Sequence, residues 1–470
     1  MSFTSLTYLL FLFLCVCTYY ILPERTKELS LLAFSVFFYA YVMPKQLLIM
    51  MIYVWIVFFI GHGIHKATGS KRKRMLVSGI VASVGFLFFY KYLEFTFSIL
   101  GFEGRKFSFI VPIGISYITF QCIAYMVELY KGKIDVVTNP VSFFVYTLLF
   151  MKVTAGPIED PKRFFDNLYS KKSIRWQEIL YGLMLIATGF VKKMVIADAL
   201  APYIGKILDS PYDKDGLSIF LAVFLYSLQI YFDFSGYTDI ARGSAQLFGI
   251  SLTENFKHPY LSKNIREFWR RWHISLSDWL RNYIYFPLGG SRVGTFRRYL
   301  NVMIVFFVSG VWHGASITFI VWGVLHGIYQ VLEMILEPFM KNIRNVLHIK
   351  ENGILHNTIA GVRTFVLVTV AWIFFRAGSM GQALSIIRRM FTPWENIVWV
   401  YKNYLPDWKL FILILAAIVF VWIAERLSKS VSGQNIKTMI ITVVSIWLVL
   451  LVLVFTSGTA TVNSFIYFDF

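Results

Sequence analysis

His313 is the residue whose type and setting most directly indicate chemistry. It lies in a stretch from 299 to 336 in which Glu333 is the single Asp, Glu, Lys or Arg residue. Ionisable side chains are costly in hydrocarbon and are retained there mainly where they face a protein-lined cavity, so this imidazole is predicted to have a functional role. Gly310 and Gly314 flank it and let a ligand or a neighbouring backbone approach closely. The alternative is a structural histidine that satisfies a neighbour's carbonyl group.

The elements that position this histidine are predicted to be membrane-spanning helices. The 470 residues are 57% hydrophobic, 18% aromatic and 15% charged, which is typical of polytopic helical membrane proteins and not of soluble domains. A crossing takes about 20 apolar residues. Clear apolar runs lie near 3–22, 75–93, 108–130, 176–197, 216–234, 357–376, 409–425 and 438–457, and less regular ones at 28–62, 140–156 and 299–337. The second group predicts a break at Pro44 and a hinge near His313, for a total of about twelve crossings.

The net charge of +19 is explained by membrane topology and not by nucleic-acid binding, because the basic residues fall in short loops between apolar runs. Loop 65–74 is rich in Lys and Arg and is predicted to be cytoplasmic, which places the N-terminus and the end of the last helix outside. The first run lacks a basic leader and a small-residue cleavage site, so it is predicted to be a retained helix. We expect a single domain, 1–470, in the plasma or inner membrane.

No metal site is predicted. Cys15, Cys17 and Cys122 lie in apolar runs and are interpreted as small hydrophobic residues. The histidines at span ends or in loops lack the paired spacing of zinc ligands; they are His62, His65, His258, His348 and His356. His326 lies roughly 220° around an ideal helix from His313 and is assigned a structural role.

The segment 256–298 mixes aromatic and charged residues too densely to cross lipid, so we expect it to lie in the interface or to re-enter the membrane. An amphipathic helix is predicted over 266–273, with tryptophans spaced three residues apart. Arg270 and Arg271 present planar donors for carboxylates or phosphates and are candidates for binding an anionic cofactor. The alternative is that they extend to lipid headgroups.

His273 is the second candidate histidine. Its apolar setting between Trp272 and Ile274 leaves open a role in chemistry or in lining a channel, and a structural hydrogen bond. Asp278 follows at the H-x4-D spacing of soluble acyltransferases. Five positions rotate a helix by roughly 140°, so the two side chains diverge and the match is treated as chance.

Several motifs together resemble the membrane-bound O-acyltransferase family. They are the blocks at 231–240, 254–256, 259–260, 267–277 and 287–290, the Ala-Gly-Pro-Ile run at 155–158 and the Ser-Gly-Val-Trp-His-Gly run at 309–314. The likeness covers most of the chain and is greatest for the bacterial branch that acetylates exported polysaccharides such as alginate and peptidoglycan. It implies an all-α fold with re-entrant or interfacial helices around a central tunnel, with His313 catalytic and His273 the second functional histidine.

The chemistry of that family agrees with the residues. A thioester needs little activation beyond deprotonation of the acceptor hydroxyl, which one buried imidazole can supply. Donors around the thioester carbonyl act strongly in a water-poor tunnel. Candidates for these hydrogen-bond donors are Ser309, Trp312 and Ser316. Binding of the acyl-CoA substrate is predicted for Arg270, Arg271, Trp312 and Ser309. A helical hydroxyl can instead bond to the preceding turn.

The tail after the final span, 438–470, ends in a Phe-x-Tyr-x-x-Phe pattern that includes Tyr467. This pattern is similar to the C-terminal motif of the small helper in teichoic acid D-alanylation, whose tyrosine is proposed to carry the acyl group. The resemblance implies that Tyr467 is a transient carrier, which divides the crossing into two transfers. An aromatic belt at the membrane interface is the alternative.

Together these residues predict an O-acetyltransferase that moves acetyl from cytoplasmic acetyl-CoA outward, for O-acetylation of a cell-envelope or exported polysaccharide. No permanently bound cofactor is expected. The partners implied are membrane lipid, the polysaccharide acceptor and an extracytoplasmic serine-hydrolase-like (SGNH) acetyltransferase. Two alternatives stay open, D-alanyl transfer from a carrier protein to teichoic acid and a polysaccharide or lipid-intermediate transporter.

Overall fold

Helices make up most of the part of the chain that the structure describes. A computed structural model covers the chain and describes residues 1–102, 109–170, 175–348, 350–351, 353–430, 436–457 and 465–466. These ranges contain helices, turns and irregular segments, with no strand among them. Eight of their helices are long and apolar enough to cross a membrane, and a shorter apolar helix covers Leu6–Ile21. The predicted all-α membrane architecture is confirmed, whereas the count of about twelve crossings and the central tunnel stay predictions.

Twenty α-helices are numbered in chain order. They are α1 (Leu6–Ile21), α2 (Glu24–Val42), α3 (Pro44–Lys66), α4 (Gly69–Leu87), α5 (Leu93–Ile99), α6 (Ile115–Tyr130), α7 (Pro140–Leu148), α8 (Pro161–Tyr169), α9 (Trp176–Phe190), α10 (Asp198–Leu208), α11 (Gly216–Gln246), α12 (Ile265–Trp269), α13 (Ile274–Leu280), α14 (Thr295–His313), α15 (Ile317–Val346), α16 (Ile354–Arg376), α17 (Met380–Met390), α18 (Ile397–Tyr404), α19 (Trp408–Ser430) and α20 (Ile436–Ser457). Three π-helical stretches, Phe88–Tyr92, Val191–Ala197 and Arg281–Tyr285, follow α4, α9 and α13, and 3-10 turns cover Pro211–Asp213 and Pro259–Leu261.

Both predicted breaks lie where the sequence indicates them. Helix α2 ends at Val42 and α3 begins with Pro44, because proline fits the first turn of a helix but cannot continue one. Helix α14 ends at His313 and α15 begins at Ile317, so the long apolar stretch is two helices joined beside the candidate histidine. The expected hinge near His313 is confirmed.

The run 140–156 differs from the predicted span. Helix α7 stops at Leu148, and the chain from 149 to 160 is irregular although nearly all of it is buried. Side chains satisfy its main-chain groups: the Phe150 amide donates to Ser35 Oγ at 3.1 Å, and the Ala155 amide donates to the Tyr237 hydroxyl at 3.1 Å. Irregular backbone is tolerated at membrane depth when protein supplies such partners.

Contacts divide the chain into two compact units. The first contains Met1–Ile196, Asp233–Thr253 and Leu415–Asp469, and the second contains Ala197–Phe232 and Glu254–Ile414. The motif histidines at 273 and 313 belong to the second unit, and the C-terminal segment belongs to the first. The single membrane domain over 1–470 stays a prediction.

Two pairs of glycines bring α9 and the C-terminal half of α11 into close contact within the first unit. A Cβ at Gly236 would stand 2.9 Å from the Gly189 carbonyl oxygen, and one at Gly243 would stand 2.5 Å from the Gly182 carbonyl oxygen. Gly182 and Gly189 are seven residues apart on α9, and Gly236 and Gly243 are seven residues apart on α11. The two glycines of each helix therefore lie on one face of it. Small residues at helix interfaces in membranes allow this backbone approach, since lipid itself provides no hydrophobic drive for association.

We expect Gly236→Ala to lower the free energy of unfolding by about 1–3 kcal/mol, because the added methyl group meets main-chain atoms that cannot move aside. Gly361→Ala is the matched control on α16, where an added methyl group would have no heavy atom within 4 Å. Its effect should be neutral or stabilising by up to about 1 kcal/mol. Thermal unfolding of the detergent-solubilised variants measures both, and equal stability of the two would contradict the packing argument.

Candidate active site

His313 is the last residue of α14 and lies 2% exposed in the second unit. A close crossing of α14 with α15 holds it in place. A Cβ at Gly310 would stand 2.5 Å from the Phe319 carbonyl oxygen, and one at Gly323 would stand 2.3 Å from the Phe306 carbonyl oxygen. The absence of a side chain at Gly310 thus admits a neighbouring backbone, one of the two possibilities that the sequence leaves open.

Aromatic rings from three helices enclose the imidazole. Its ring centroid lies 5.0 Å from Trp312 on α14, 4.8 Å from Trp322 on α15 and 5.4 Å from Phe375 on α16. The Trp322 and His313 planes meet at 89°, an edge-to-face geometry that aromatic pairs prefer. The cage excludes solvent and fixes the orientation of the imidazole.

His273 lies in the same unit, fully buried, at the start of α13. Its φ of +45° falls in the left-handed region, where histidine is enriched several-fold among non-glycine residues but still costs energy. The prediction of an amphipathic helix over 266–273 is correct only as far as Trp269, where α12 ends. The chain turns there because Asn255 caps α13, accepting from the Ile274 amide at 3.1 Å and the Ser275 amide at 3.0 Å.

The two histidines come together. Their ring centroids are 6.4 Å apart, and the His273 ring also lies 6.0 Å from that of Trp312. Burial lowers the pKa of His273 below its usual value, because the apolar surroundings disfavour the charged imidazolium. A pair of buried imidazoles within one cage is an arrangement suited to proton transfer.

Two neutral hydrogen-bond donors belong to residues near His313. Ser309 precedes His313 by one helical turn, and its buried hydroxyl has no hydrogen-bond partner among the described residues. The same holds for the indole N–H of Trp322. Leaving a buried donor unsatisfied costs about 1–3 kcal/mol, so these groups are candidates for meeting a substrate. Ser316, another predicted donor, instead caps α15 by accepting from the Thr318 amide at 3.3 Å.

The sequence analysis did not single out Trp322. The signal that could have indicated it is the spacing Trp322-Gly323 with His326 four residues later, which places a large ring, a close-contact position and an imidazole on adjoining turns of α15. Nothing in the local sequence shows that α14 folds back to place His313 against this tryptophan.

Arg270 and Arg271 have separate settings. Arg270 is exposed at the end of α12, whereas the Arg271 guanidinium donates to Glu267 Oε1 at 2.5 Å. The Glu267 carboxylate also accepts from the Lys263 amide at 2.8 Å. Arg271 therefore braces the turn before His273, and binding of an anionic cofactor by either arginine stays a prediction.

His326 belongs to the same aromatic cluster as His313. The angle of roughly 220° between the two residues on one ideal helix did not predict this, because they lie on different helices. The His326 ring is 5.1 Å from that of Trp322, and its Nδ1 accepts a hydrogen bond from Trp269 Nε1 at 3.3 Å. Its bond to Trp269 connects α15 to α12. This setting agrees with the structural role predicted for it.

Three further expectations concern other positions. Asp278 pairs with Arg281 at 2.8 Å, and the interpretation of its H-x4-D spacing from His273 as chance stays a prediction. The described residues contain no group of three or more His, Cys, Asp or Glu side chains that could hold a metal ion. Tyr467 falls outside the described residues.

Comparison with known proteins gives a consistent result. The sequence profile of the membrane-bound O-acyltransferase family matches residues 4–377. A probable alginate O-acetylase of Pseudomonas aeruginosa is 35% identical over 406 residues, 83% of this chain and 75% of the relative. A peptidoglycan O-acetyltransferase of Helicobacter pylori is 33% identical over 408 residues, 79% and 76% of the two chains. A teichoic acid D-alanyltransferase of Bacillus subtilis is 30% identical over 248 residues, 49% of this chain and 61% of the relative.

We expect His326→Leu to lower the free energy of unfolding by about 1–3 kcal/mol, because the Trp269 N–H would remain buried without an acceptor. His326→Gln offers an amide oxygen in its place and should lose less. Thermal melting in detergent compares the two variants, and equal losses would show that the hydrogen bond contributes nothing.

Proposed function

Because the chain belongs to the membrane-bound O-acyltransferase family, we propose that it moves acetyl from cytoplasmic acetyl-CoA across the membrane for O-acetylation of a cell-envelope or exported polysaccharide. Family membership makes it a multi-pass membrane acyltransferase and answers the transporter alternative in favour of an enzyme. Relatives named for alginate and peptidoglycan O-acetylation support the polysaccharide acceptor. The observation that carries the proposal is the 6.4 Å pairing of His313 with His273 in a closed aromatic cage.

In this proposal His313 is the general base. Its imidazole takes the proton of an acceptor hydroxyl as that oxygen attacks the thioester carbonyl. The tetrahedral intermediate then collapses, the carbon–sulfur bond breaks, and the CoA thiolate leaves and recovers the proton from the imidazolium. The new bond is an oxygen ester. His273, 6.4 Å from His313 between ring centroids, lines the route from the inner side in this proposal.

Hydrogen-bond donors beside His313 would stabilise the charge that develops on the thioester oxygen. The Ser309 hydroxyl and the Trp322 indole N–H are buried near the base and face no acceptor among the described residues, and the Trp312 indole belongs to the same cage. Preorganised donors in a site without water are worth more than the same donors in solution, and removal of one typically costs ~10²-fold or more in rate.

Acetyl-CoA is a substrate in this scheme and not a resident cofactor. The exposed guanidinium of Arg270 is available for its phosphates, as planar donors suit phosphate oxygens. Arg271 already pairs with Glu267, so its contribution would be to hold the turn that presents Arg270. Ser309 and Trp312 would meet the acyl end of the donor.

We further propose that Tyr467 receives the acetyl group before it leaves the enzyme. A phenolic ester divides the reaction into two transfers, each with a thioester or an activated ester as donor. In this proposal an extracytoplasmic serine-hydrolase-like acetyltransferase would take the group from Tyr467 to the polysaccharide.

D-alanyl transfer is the competing reaction, favoured by relatives named as teichoic acid D-alanyltransferases that match about half of this chain. The donor distinguishes the two reactions. Labelling of the purified protein by radioactive acetyl-CoA alone supports acetyl transfer, whereas a requirement for a D-alanyl carrier protein docked on the inner face supports the alternative.

We expect His313→Ala to reduce acetyl transfer from acetyl-CoA by about a hundredfold or more, since general-base catalysis contributes roughly 10²–10⁴ in rate. His65→Ala, which removes an exposed histidine, is the control. Transfer is measured with radioactive acetyl-CoA on protein shown to be folded by its thermal transition. Wild-type rate in the His313 variant would refute the base assignment.

We expect Tyr467→Phe to abolish acetylation of the polysaccharide and incorporation of labelled acetyl into the protein, because the variant lacks the oxygen that forms the ester. Tyr41→Phe, at an exposed tyrosine, is the matched control. Mass spectrometry of the C-terminal peptide and assay of polymer-bound acetate measure the two effects. Retained polymer acetylation in the Tyr467 variant would remove the carrier step and leave the His313 assignment standing.

A further inference from the structure

Two consecutive lysines in the first unit are buried, and each has its own carboxylate. They lie in the π-helical stretch Val191–Ala197, and their partners lie on α11. Lys192 Nζ is 2.6 Å from Asp239, and Lys193 Nζ is 2.7 Å from Asp233. The Lys193–Asp233 pair is the more deeply buried, with side chains 1% and 2% exposed. A buried ammonium group needs a nearby carboxylate to offset the cost of removing its charge from water. The Lys193–Asp233 pair meets that need by itself.

The second bond of Asp233 is to the C-terminal segment. While one carboxylate oxygen accepts from Lys193, the other accepts from the main-chain N–H of Ile466 at 2.9 Å. Phe465 is 1% exposed, with its ring 4.6 Å from Lys193 Nζ and 5.2 Å from the ring of Tyr237. An ammonium at that distance from an aromatic ring is attracted by it, most strongly where water is absent.

Tyr237 connects this segment to the irregular chain of the Ala-Gly-Pro motif. Its hydroxyl lies 2.6 Å from Thr154 Oγ1 and accepts from the Ala155 amide at 3.1 Å. Its ring contacts the rings of Phe465 and Phe3, each in an edge-to-face geometry. Phe465 thus occupies an aromatic and cationic socket that is itself held by hydrogen bonds.

We propose that Asp233, Lys193 and Tyr237 form a docking site for the C-terminal tail and are positioning residues for Tyr467, which follows the docked residues directly in sequence. This inference rests on the carrier role in the proposed function and adds how the chain holds its carrier. Recognition is through the ring of residue 465 and the main-chain N–H of residue 466. The side chain of residue 466 is only half-buried, so the docking site is not proposed to recognise that side chain.

The neighbouring ion pair supplies a control. Lys192 bonds to both Asp239 and Glu425, and Asp239 also pairs with Arg242. No described bond joins Asp239 to residues 465 or 466. Asp239→Asn therefore removes a buried carboxylate from the same pair of helical stretches without removing the acceptor of the tail.

The first test measures exposure of the tail and needs no turnover. Cys15, Cys17 and Cys122 are replaced by alanine and Ile466→Cys is introduced, which keeps the main-chain N–H. Maleimide labelling in detergent should be slow in this background and about tenfold faster after Asp233→Asn, because an uncharged acceptor holds the N–H less well. Asp239→Asn should leave the labelling rate within about twofold, as its carboxylate has no bond to the tail.

A double variant guards against misfolding. Asp233→Leu with Lys193→Met removes both charges together, so no isolated charge stays buried, and it should also raise the labelling rate. An unchanged rate in both Asp233 variants, or an equal rise after Asp239→Asn, would overturn the docking site.

The second test addresses positioning. Ile466→Pro deletes the donor that Asp233 accepts and leaves the ion pair in place, whereas Ile466→Val keeps the donor. We expect about a tenfold or greater fall in acetyl incorporation at Tyr467 for the proline variant and wild-type incorporation for the valine variant. Equal incorporation in both would refute the positioning role. If Tyr467→Phe retains polymer acetylation while Asp233→Asn still exposes the tail, the carrier proposal fails and the docking site stands.

Discussion

The close crossing of α14 and α15 is the contact on which the candidate site depends. Helices in lipid gain little from burying apolar side chains, so they associate through close packing and hydrogen bonds. Gly310 and Gly323 let the two backbones touch, and the turn between the helices falls directly after His313. The imidazole is thereby held against the rings of Trp322 and Phe375, which α15 and α16 supply.

The buried polar groups of the two units differ in whether they have partners. Within the first unit, the buried lysines at 192 and 193 are each matched by carboxylates, because an isolated charge in an apolar interior is too costly to keep. Within the second unit, the groups beside His313 are neutral donors such as the Ser309 hydroxyl and the Trp322 N–H, left without described acceptors. A neutral donor costs far less than a charge, so a site can retain it for a ligand.

Several features could be read from the chain because they depend on local rules. Pro44 predicted a helix start, and the apolar length of 299–337 predicted two helices with a hinge beside His313. The expected helix over 266–273 failed at Trp269, since Asn255, a residue distant along the chain, caps α13 and imposes the left-handed turn at His273. His326 was expected to be structural, and its bond to Trp269 agrees, but its place one ring from His313 could not be obtained from helix angle alone.

Composition and apolar run lengths were sufficient to predict a polytopic membrane protein, since these properties are carried by neighbouring residues along the chain. The resemblance of its short motifs to a known family predicted an acyltransferase and marked the histidines. The partners of those histidines came from the fold. Trp322 and Phe375 reach His313, and Asp233 reaches Ile466, across sequence separations that no periodicity reports. Such contacts are set by which helices can approach closely and by the need to pair each buried polar group, and both are properties of the packed chain.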